Sequence, residues 1–122
     1  MINRHKESHS FEERKAEATK IKAKYQDRIP LIIEFDFPVE IKNCKTKYLA
    51  PKELLVSQLM YVIRKKGEIS AEKGIFLFCG DGNTLPLASD TISMIYDKYV
   101  DDDGFLYFKC ALEQTFGSVI ST

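Results

Sequence analysis

Apolar positions fall into two kinds of spacing along the chain, and the switch between them marks out its elements. Over SFEERKAEATKIKAKY, residues 10–25, Phe11, Ala18, Ile21 and Tyr25 recur at helical spacing on one stripe, interrupted by Arg14. Ser10 followed by Glu13 is the capping-box pattern that satisfies backbone donors at a helix start. The stripe is thin, so this helix is expected to lie on the surface of something larger. A further short helix is predicted over residues 3–8. RIPLIIEF, residues 28–35, is a β-branched run apolar on both faces, as in a central strand. Pro30 argues that one end of this strand is an edge or has a special role. KYLAP, residues 47–51, predicts a second short strand.

In KELLVSQLMYVIRKK, residues 52–66, Leu55, Leu59 and Val62 mark a stripe that Val56 and Ile63 widen. Gly67 after Arg64, Lys65 and Lys66 suits a helix C-terminus. The start lacks a capping hydroxyl, with Leu55 near that point. IFLFC, residues 75–79, predicts a buried strand and GDGN a turn. Ser89 or Asp90 is positioned to cap a helix running to about Tyr99, and FLYFKCAL, residues 105–112, predicts a final strand. The order helix, β, β, helix, β, helix, β describes an α+β roll: a four-stranded mixed sheet with a central helix and an extra helix in front.

The 122 residues, 44% hydrophobic and 30% charged, point to one domain able to bury a core without staples. The opening MINRHKESHS is polar and shows no signal-peptide pattern, and no apolar run spans a bilayer. The three cysteines, Cys44, Cys79 and Cys110, fit neither a zinc site nor a disulfide framework, and reduced thiols are expected. Cys79 and Cys110 sit in apolar runs and read as core. His5 and His9 lie in the polar N-terminal segment, where neither looks rigid enough to serve a thiol nucleophile. A cysteine hydrolase is therefore the remotest reading.

Net charge is zero but segregated. Residues 1–28 carry eight basic and five acidic side chains, residues 29–80 eight and six, and residues 81–122 two and seven. A basic face for an acidic partner is one reading, and a solvated surface is the other. No aromatic platform or nucleic-acid motif accompanies the basic residues, so no nucleic-acid partner is expected.

FEERKAEATKIKAKYQDRIPLIIE, KYLAP, QLMYVIRKK, IFLFC, MIYDKYVDDDGFLY and TFG, in this order and spacing, resemble the autophagy-related ubiquitin-like modifiers, the family of GABARAP and microtubule-associated protein light chain three. The resemblance runs from about Phe11 to Gly117. It implies a ubiquitin-like β-grasp preceded by two helices: an N-terminal helical extension over 1–27, the ubiquitin-like domain over 28–116, and Gly117 with a removable tail over 117–122. It implies no enzymatic activity. A cysteine protease would trim the chain after Gly117. Activating and conjugating enzymes would then pass the glycine carboxylate to phosphatidylethanolamine, with no other cofactor.

A residue without Cβ can thread a narrow active-site channel and leaves its carbonyl open to attack. Phe116 would offer the protease an apolar contact, and SVIST is small and uncharged. Two acyl chains would anchor a chain that has no spanning helix, at about 0.8 kcal/mol per buried methylene. The expected locations are the cytoplasm and, once lipidated, the autophagosome membrane, with the unlipidated chain a monomer in solution.

The resemblance further implies a docking surface for short receptor peptides carrying an aromatic residue, two intervening residues and an aliphatic one. Glu17, Ile21, Pro30, Ile32, Lys47, Leu49 and Phe105 would form an aromatic pocket. Tyr48, Ala50, Pro51, Leu54, Leu55, Leu59, Val62 and Ile63 would form an aliphatic one, altered from the family pattern by Ala50 in place of valine and Leu59 in place of phenylalanine. The strand Lys47–Ala50 would be the pairing edge. Lys45 and Lys47 would attract an acidic flank. Arg28 and Arg64 match family arginines; protease recognition and a salt-bridged surface role are both open for Arg64. Phe76, Leu77 and Phe78 resemble a second docking region, for which a core strand is the favoured reading. Taken singly, Ile21, Ile32, Leu49 and Leu59 also suit a plain core. The rival from another class is an adaptor or microtubule-associated protein that binds the same peptides and is never conjugated.

Overall fold

A computed structural model describes residues 4–37, 46–80 and 83–113. Helix α1, Arg4–Ser8, leads into α2, Phe11–Lys24. The Ser10 hydroxyl accepts from the Glu13 N–H (3.1 Å) and the Glu13 carboxylate accepts from the Ser10 N–H (2.8 Å), closing the capping box. Strands β1 (Arg28–Phe35), β2 (Lys47–Pro51), β3 (Ile75–Cys79) and β4 (Leu106–Leu112) make one mixed sheet in the order β2-β1-β4-β3. β1 runs antiparallel to β2 and parallel to β4, and β3 pairs antiparallel with β4. Helices α3 (Val56–Lys66) and α4 (Ile92–Tyr99) complete the fold.

The unbroken apolar run of β1 reflects burial on both faces: every residue from Ile29 to Phe35 is buried. Ile29, Leu31, Ile33 and Phe35 join Val56, Leu59 and Ile63 of α3, Ile92 and Ile95 of α4, and Leu106 and Phe108 of β4 in the main core. On the opposite face, Ile32 meets Ala18, Phe105 and Tyr107, with Ile21 packed alongside. The sheet is thus covered by α2 on one side and by α3 and α4 on the other.

Pro30 is accommodated by position rather than by an edge strand. The Ile33 N–H donates to the Thr46 carbonyl on the β2 side (2.7 Å). By the alternation of a strand, residue 30 would aim its N–H toward β4, whose pairing with β1 begins only at Leu31↔Leu106. The missing donor costs no ladder bond.

Three expected boundaries and one expected setting differ. α3 begins at Val56 rather than residue 52, because residues 52–55 are committed elsewhere. The Lys52 and Leu54 carbonyls accept from Ser93 and Ile92, and Leu55 bridges Thr91. Leu55 is the N-cap and has no acceptor to offer; its own N–H donates to the Gln58 side chain (2.9 Å). The N-cap of α4 is Thr91, not Ser89 or Asp90: its hydroxyl accepts from the Met94 N–H (3.2 Å). Asp90 instead accepts from the Leu87 N–H and holds the preceding turn. β4 starts one residue late, since the Phe105 N–H is taken by Asp103 (2.8 Å). Finally, His5 is not in a loose polar segment: it is buried against the sheet.

Cys79 and Cys110 are fully buried, as read. In β3, Leu77 is core, whereas Phe76 and Phe78 are half-buried on the other face. The central residue of that segment is therefore unavailable for docking.

Candidate functional site

β2 is the last strand on its side of the sheet. Because Thr46 turns its carbonyl to β1, Lys47 and Leu49 turn their backbone groups outward, leaving an edge with no pairing strand among the described residues. Along this edge runs a groove of about 530 Å³, lined by Ile21 and Tyr25 of α2, Pro30 of β1, Lys47, Tyr48 and Leu49 of β2, Val62 and Lys66 of α3, and Phe105. The lining comes from both faces of the sheet. Lys47 and Leu49 lie opposite Ile32 and Pro30, on the α2 face, while Tyr48 lies opposite Leu31, on the α3 face. The groove wraps the edge and joins the two faces.

Of the residues assigned to an aromatic pocket, Ile21, Pro30, Lys47, Leu49 and Phe105 come together here. Ile32 is fully buried in one cluster with Phe105 and Ile21 and does not line the groove. Glu17 sits at the rim and pairs with Lys47, Oε2 to Nζ 2.7 Å. Both side chains are more than a third exposed, so the pair contributes at most about 1 kcal/mol. An acidic ligand would compete with Glu17 for this lysine.

The aliphatic set is divided. Tyr48 and Val62 line the groove. Ala50, Leu59 and Ile63 are core residues at 4%, 1% and 0% exposure, and as they stand they offer a ligand no surface. This corrects their placement as lining: their inward turn follows from the helical stripe and strand alternation that made them conspicuous in the sequence. Pro51 is exposed, and Leu54 and Leu55 are half-buried in the turn before α3. None of these three lines the groove.

Tyr25 and Lys66 were missed as lining residues. The signal was present: Tyr25 is one turn beyond Ile21 and Lys66 one turn beyond Val62, so each extends a helical row already bordering the edge. Arg28 lies elsewhere, in a smaller cleft of about 220 Å³ with Lys22, Gln26, Lys52, Ser93, Tyr96 and Asp97. Arg64 has no salt bridge among the described residues; its Nη1 donates to the carbonyls of Ser70 (2.9 Å) and Lys73 (2.6 Å), tying down the loop after α3. Lys45, Phe116 and Gly117 fall outside the described residues.

A buried polar cluster fixes the Phe105 wall. Asp103 is fully buried; its Oδ2 accepts from Arg14 Nη1 (2.6 Å) and the Tyr107 hydroxyl (2.5 Å), and its Oδ1 accepts from the Phe105 N–H (2.8 Å). Burial, reinforced by the bond to Asp103, pushes the Tyr107 phenol far up, so it stays a donor. Next to it, Gly104 has φ +95 and lies against Ala18, where a Cβ would meet the Ala18 Cβ at 3.0 Å. The absence of a side chain lets α2 close over this turn. Among the described residues there is no His/Cys/Asp/Glu cluster able to hold a metal, and no helix long and apolar enough to cross a membrane.

The sequence profile described as "Autophagy protein Atg8 ubiquitin like" matches residues 13–117. This chain belongs to the Atg8 family. It is 47% identical to Autophagy-related protein 8e of Arabidopsis thaliana over 93% of this chain and 92% of that one. It is 45% identical to Autophagy-related protein 8 of Pichia angusta over 98% and 94%. The crystal structure of Trypanosoma brucei ATG8 superposes with a TM-score of 0.80 at 36% identity, covering 93% of this chain and 97% of that one. Plasmodium falciparum Atg8, solved in complex with a P. falciparum Atg3 peptide, gives a TM-score of 0.76 at 32% identity over 90% and 95%. The mixed sheet with its N-terminal helices is the ubiquitin-like Atg8 fold. Atg8 proteins are ubiquitin-like modifiers and adaptors of autophagy rather than enzymes.

Proposed function

We propose that this Atg8-family chain is a conjugated modifier of autophagy: trimmed after Gly117, joined through that glycine to phosphatidylethanolamine, and used on the autophagosome membrane as a scaffold that captures receptor peptides. The observation that carries the peptide-binding part is the open β2 edge beside an apolar groove. An extended peptide adds a strand there: Lys47 and Leu49 provide main-chain bonds, and the groove receives alternate side chains. The aromatic residue enters between Ile21, Pro30, Leu49 and Phe105, and the aliphatic residue passes to the Tyr48 and Val62 side. Lys47 and Lys66 favour acidic neighbours. A peptide of the conjugating enzyme is one such partner, by analogy with the Atg3 peptide of the P. falciparum complex; cargo receptors with aromatic-x-x-aliphatic motifs are others.

The TFG–SVIST junction supports the covalent part, for the reasons of access and leaving-segment chemistry given above. Intact-mass measurement on protein from its own cells tests it. The expected species end at Gly117, with a lipidated form accumulating on starvation and lost in Gly117→Ala. A chain that keeps SVIST under starvation, with Gly117→Ala retaining membrane puncta, would establish the non-conjugated adaptor instead.

A further inference from the structure

Helix α1 has five residues, far too few to persist without tertiary contacts. Among the described residues, the His5 N–H donates to Glu34 Oε2 of β1 (3.2 Å), Lys6 Nζ pairs with Asp101 Oδ1 (2.5 Å), and Lys6 Nζ also lies over the Tyr107 ring, 4.8 Å from its centroid. The His5 ring adds a further contact. His5 is 7% exposed, stands edge-on to Phe105 (5.2 Å between centroids), and lies within 6.1 Å of Tyr107 and 4.8 Å of His9. Its Nε2 is buried and has no hydrogen-bond partner among the described residues. A neutral imidazole can occupy this site as an aromatic packing group. An imidazolium would bring a second N–H and a full charge into an apolar contact.

The carboxylates that could neutralise such a charge are already engaged. Glu34 of β1 accepts from the His5 backbone, Asp103 is filled by Arg14, Tyr107 and the Phe105 N–H, and Glu17 of α2 is paired with Lys47. The cationic groups that act on the ring are Lys47 of β2, itself paired with Glu17, and His9 when protonated; Lys6 of α1 and Arg14 of α2 are paired with Asp101 and Asp103.

We propose that His5 is a pH-sensitive latch: neutral, it holds α1 on the sheet; protonated, it releases α1 and uncovers the rings of Phe105 and Tyr107. Burial is the main cause that lowers the docked His5 pKa, with Lys47 and His9 acting the same way and Glu17 and Asp103 opposing. A pKa lower when docked than when released sets the sign. Docking is undisturbed above the free-histidine value of about 6.5. Below it, the released state takes the proton first, and docking weakens by up to tenfold per pH unit until the docked value is reached. Phe105 touches His5 and lines the groove, so release of α1 is felt at the groove wall. The latch needs only the docking of α1 and stands independently of conjugation.

Nuclear magnetic resonance of the full chain between pH 7.5 and 5.5 tests it, with circular dichroism as a check on the global fold. In the parent, the α1, Phe105 and Tyr107 signals are expected to shift together, with the midpoint of the His5 ring titration. His5→Phe keeps an aromatic ring that takes no proton, so its α1 signals should stay constant, whereas His9→Asn should retain the transition. Static α1 signals in the parent, an equal pH response in His5→Phe, or loss of the response in His9→Asn would each overturn the latch. Should His5→Phe fail to fold, coincidence of the His5 and α1 midpoints in the parent decides: agreement supports the latch, and separate midpoints overturn it.

Discussion

Replacing Asp103 by alanine puts the buried cluster behind the groove to a quantitative test. The substitution removes the acceptor shared by Arg14, Tyr107 and the Phe105 N–H, at 2.6, 2.5 and 2.8 Å. The Arg14 side chain is 11% exposed and Asp103 not at all, so the pair behaves as a buried one. Removing one partner of such a pair leaves a charge uncompensated and costs about 3–5 kcal/mol. That is about a fifth or more of the roughly 5–15 kcal/mol that holds a typical domain. With a urea m-value near 2 kcal/mol/M, the unfolding midpoint should fall by roughly 2 M. Asp103→Asn keeps one acceptor and the side-chain volume, and should lose less than the alanine variant. Urea unfolding followed by far-ultraviolet circular dichroism reads both. A loss below about 1 kcal/mol for Asp103→Ala, with m unchanged, would mean that Arg14 reaches solvent and the cluster acts as a surface pair.

Gly104→Ala should lower the melting temperature, by the equivalent of about 1–3 kcal/mol, because φ is +95 and the new Cβ meets Ala18; calorimetry showing an unchanged transition would contradict this. Burial first, and then the charge of Asp90, push the Cys79 thiol up to about 11 from its model-compound value of 9.0, leaving roughly a hundredfold less thiolate at pH 8. Iodoacetamide labelling followed by peptide mass spectrometry should therefore find Cys79 unmodified until the chain unfolds, and rapid native labelling would refute that. Lys47→Glu sets a second carboxylate beside Glu17 at the groove rim; titration calorimetry should show roughly tenfold weaker binding of acidic-flanked aromatic-x-x-aliphatic peptides, and a parent affinity that falls with salt. Equal affinities would remove Lys47 from the site.

The elements themselves were legible because local rules carry them. Ser10 and Glu13 announce α2, the two-sided apolar run of residues 28–35 announces a central strand, and the stripe through Leu59 and Ile63 announces α3. The errors fall where tertiary bonds outrank local preference. The backbone of Lys52–Leu55 reads as helix, yet its carbonyls and bridge serve the start of α4. Asp90 and Ser89 read as caps as well as Thr91 does, and only the path of the chain selects among them.

At the groove the same division holds. Spacing alone makes Ile21, Ile32, Leu49, Leu59 and Ile63 equally apolar candidates, and the sequence carries no term for depth. Depth is set by the layers around the sheet: Ile32, Leu59 and Ile63 are pinned between sheet and helices, while Ile21 and Leu49 reach the free edge of β2. His5 shows the reverse, a residue that looks solvated in a polar segment until α1 folds back onto Phe105. Helix and strand periods, the α2 capping box and the family-matching segments needed only the sequence, since they depend on neighbours a few positions apart. Which apolar side chains face a ligand, which arginine bonds a loop and which histidine is buried depended on contacts between residues far apart in sequence, such as Arg14 with Asp103 and Lys6 with Asp101, which only the assembled sheet brings within reach.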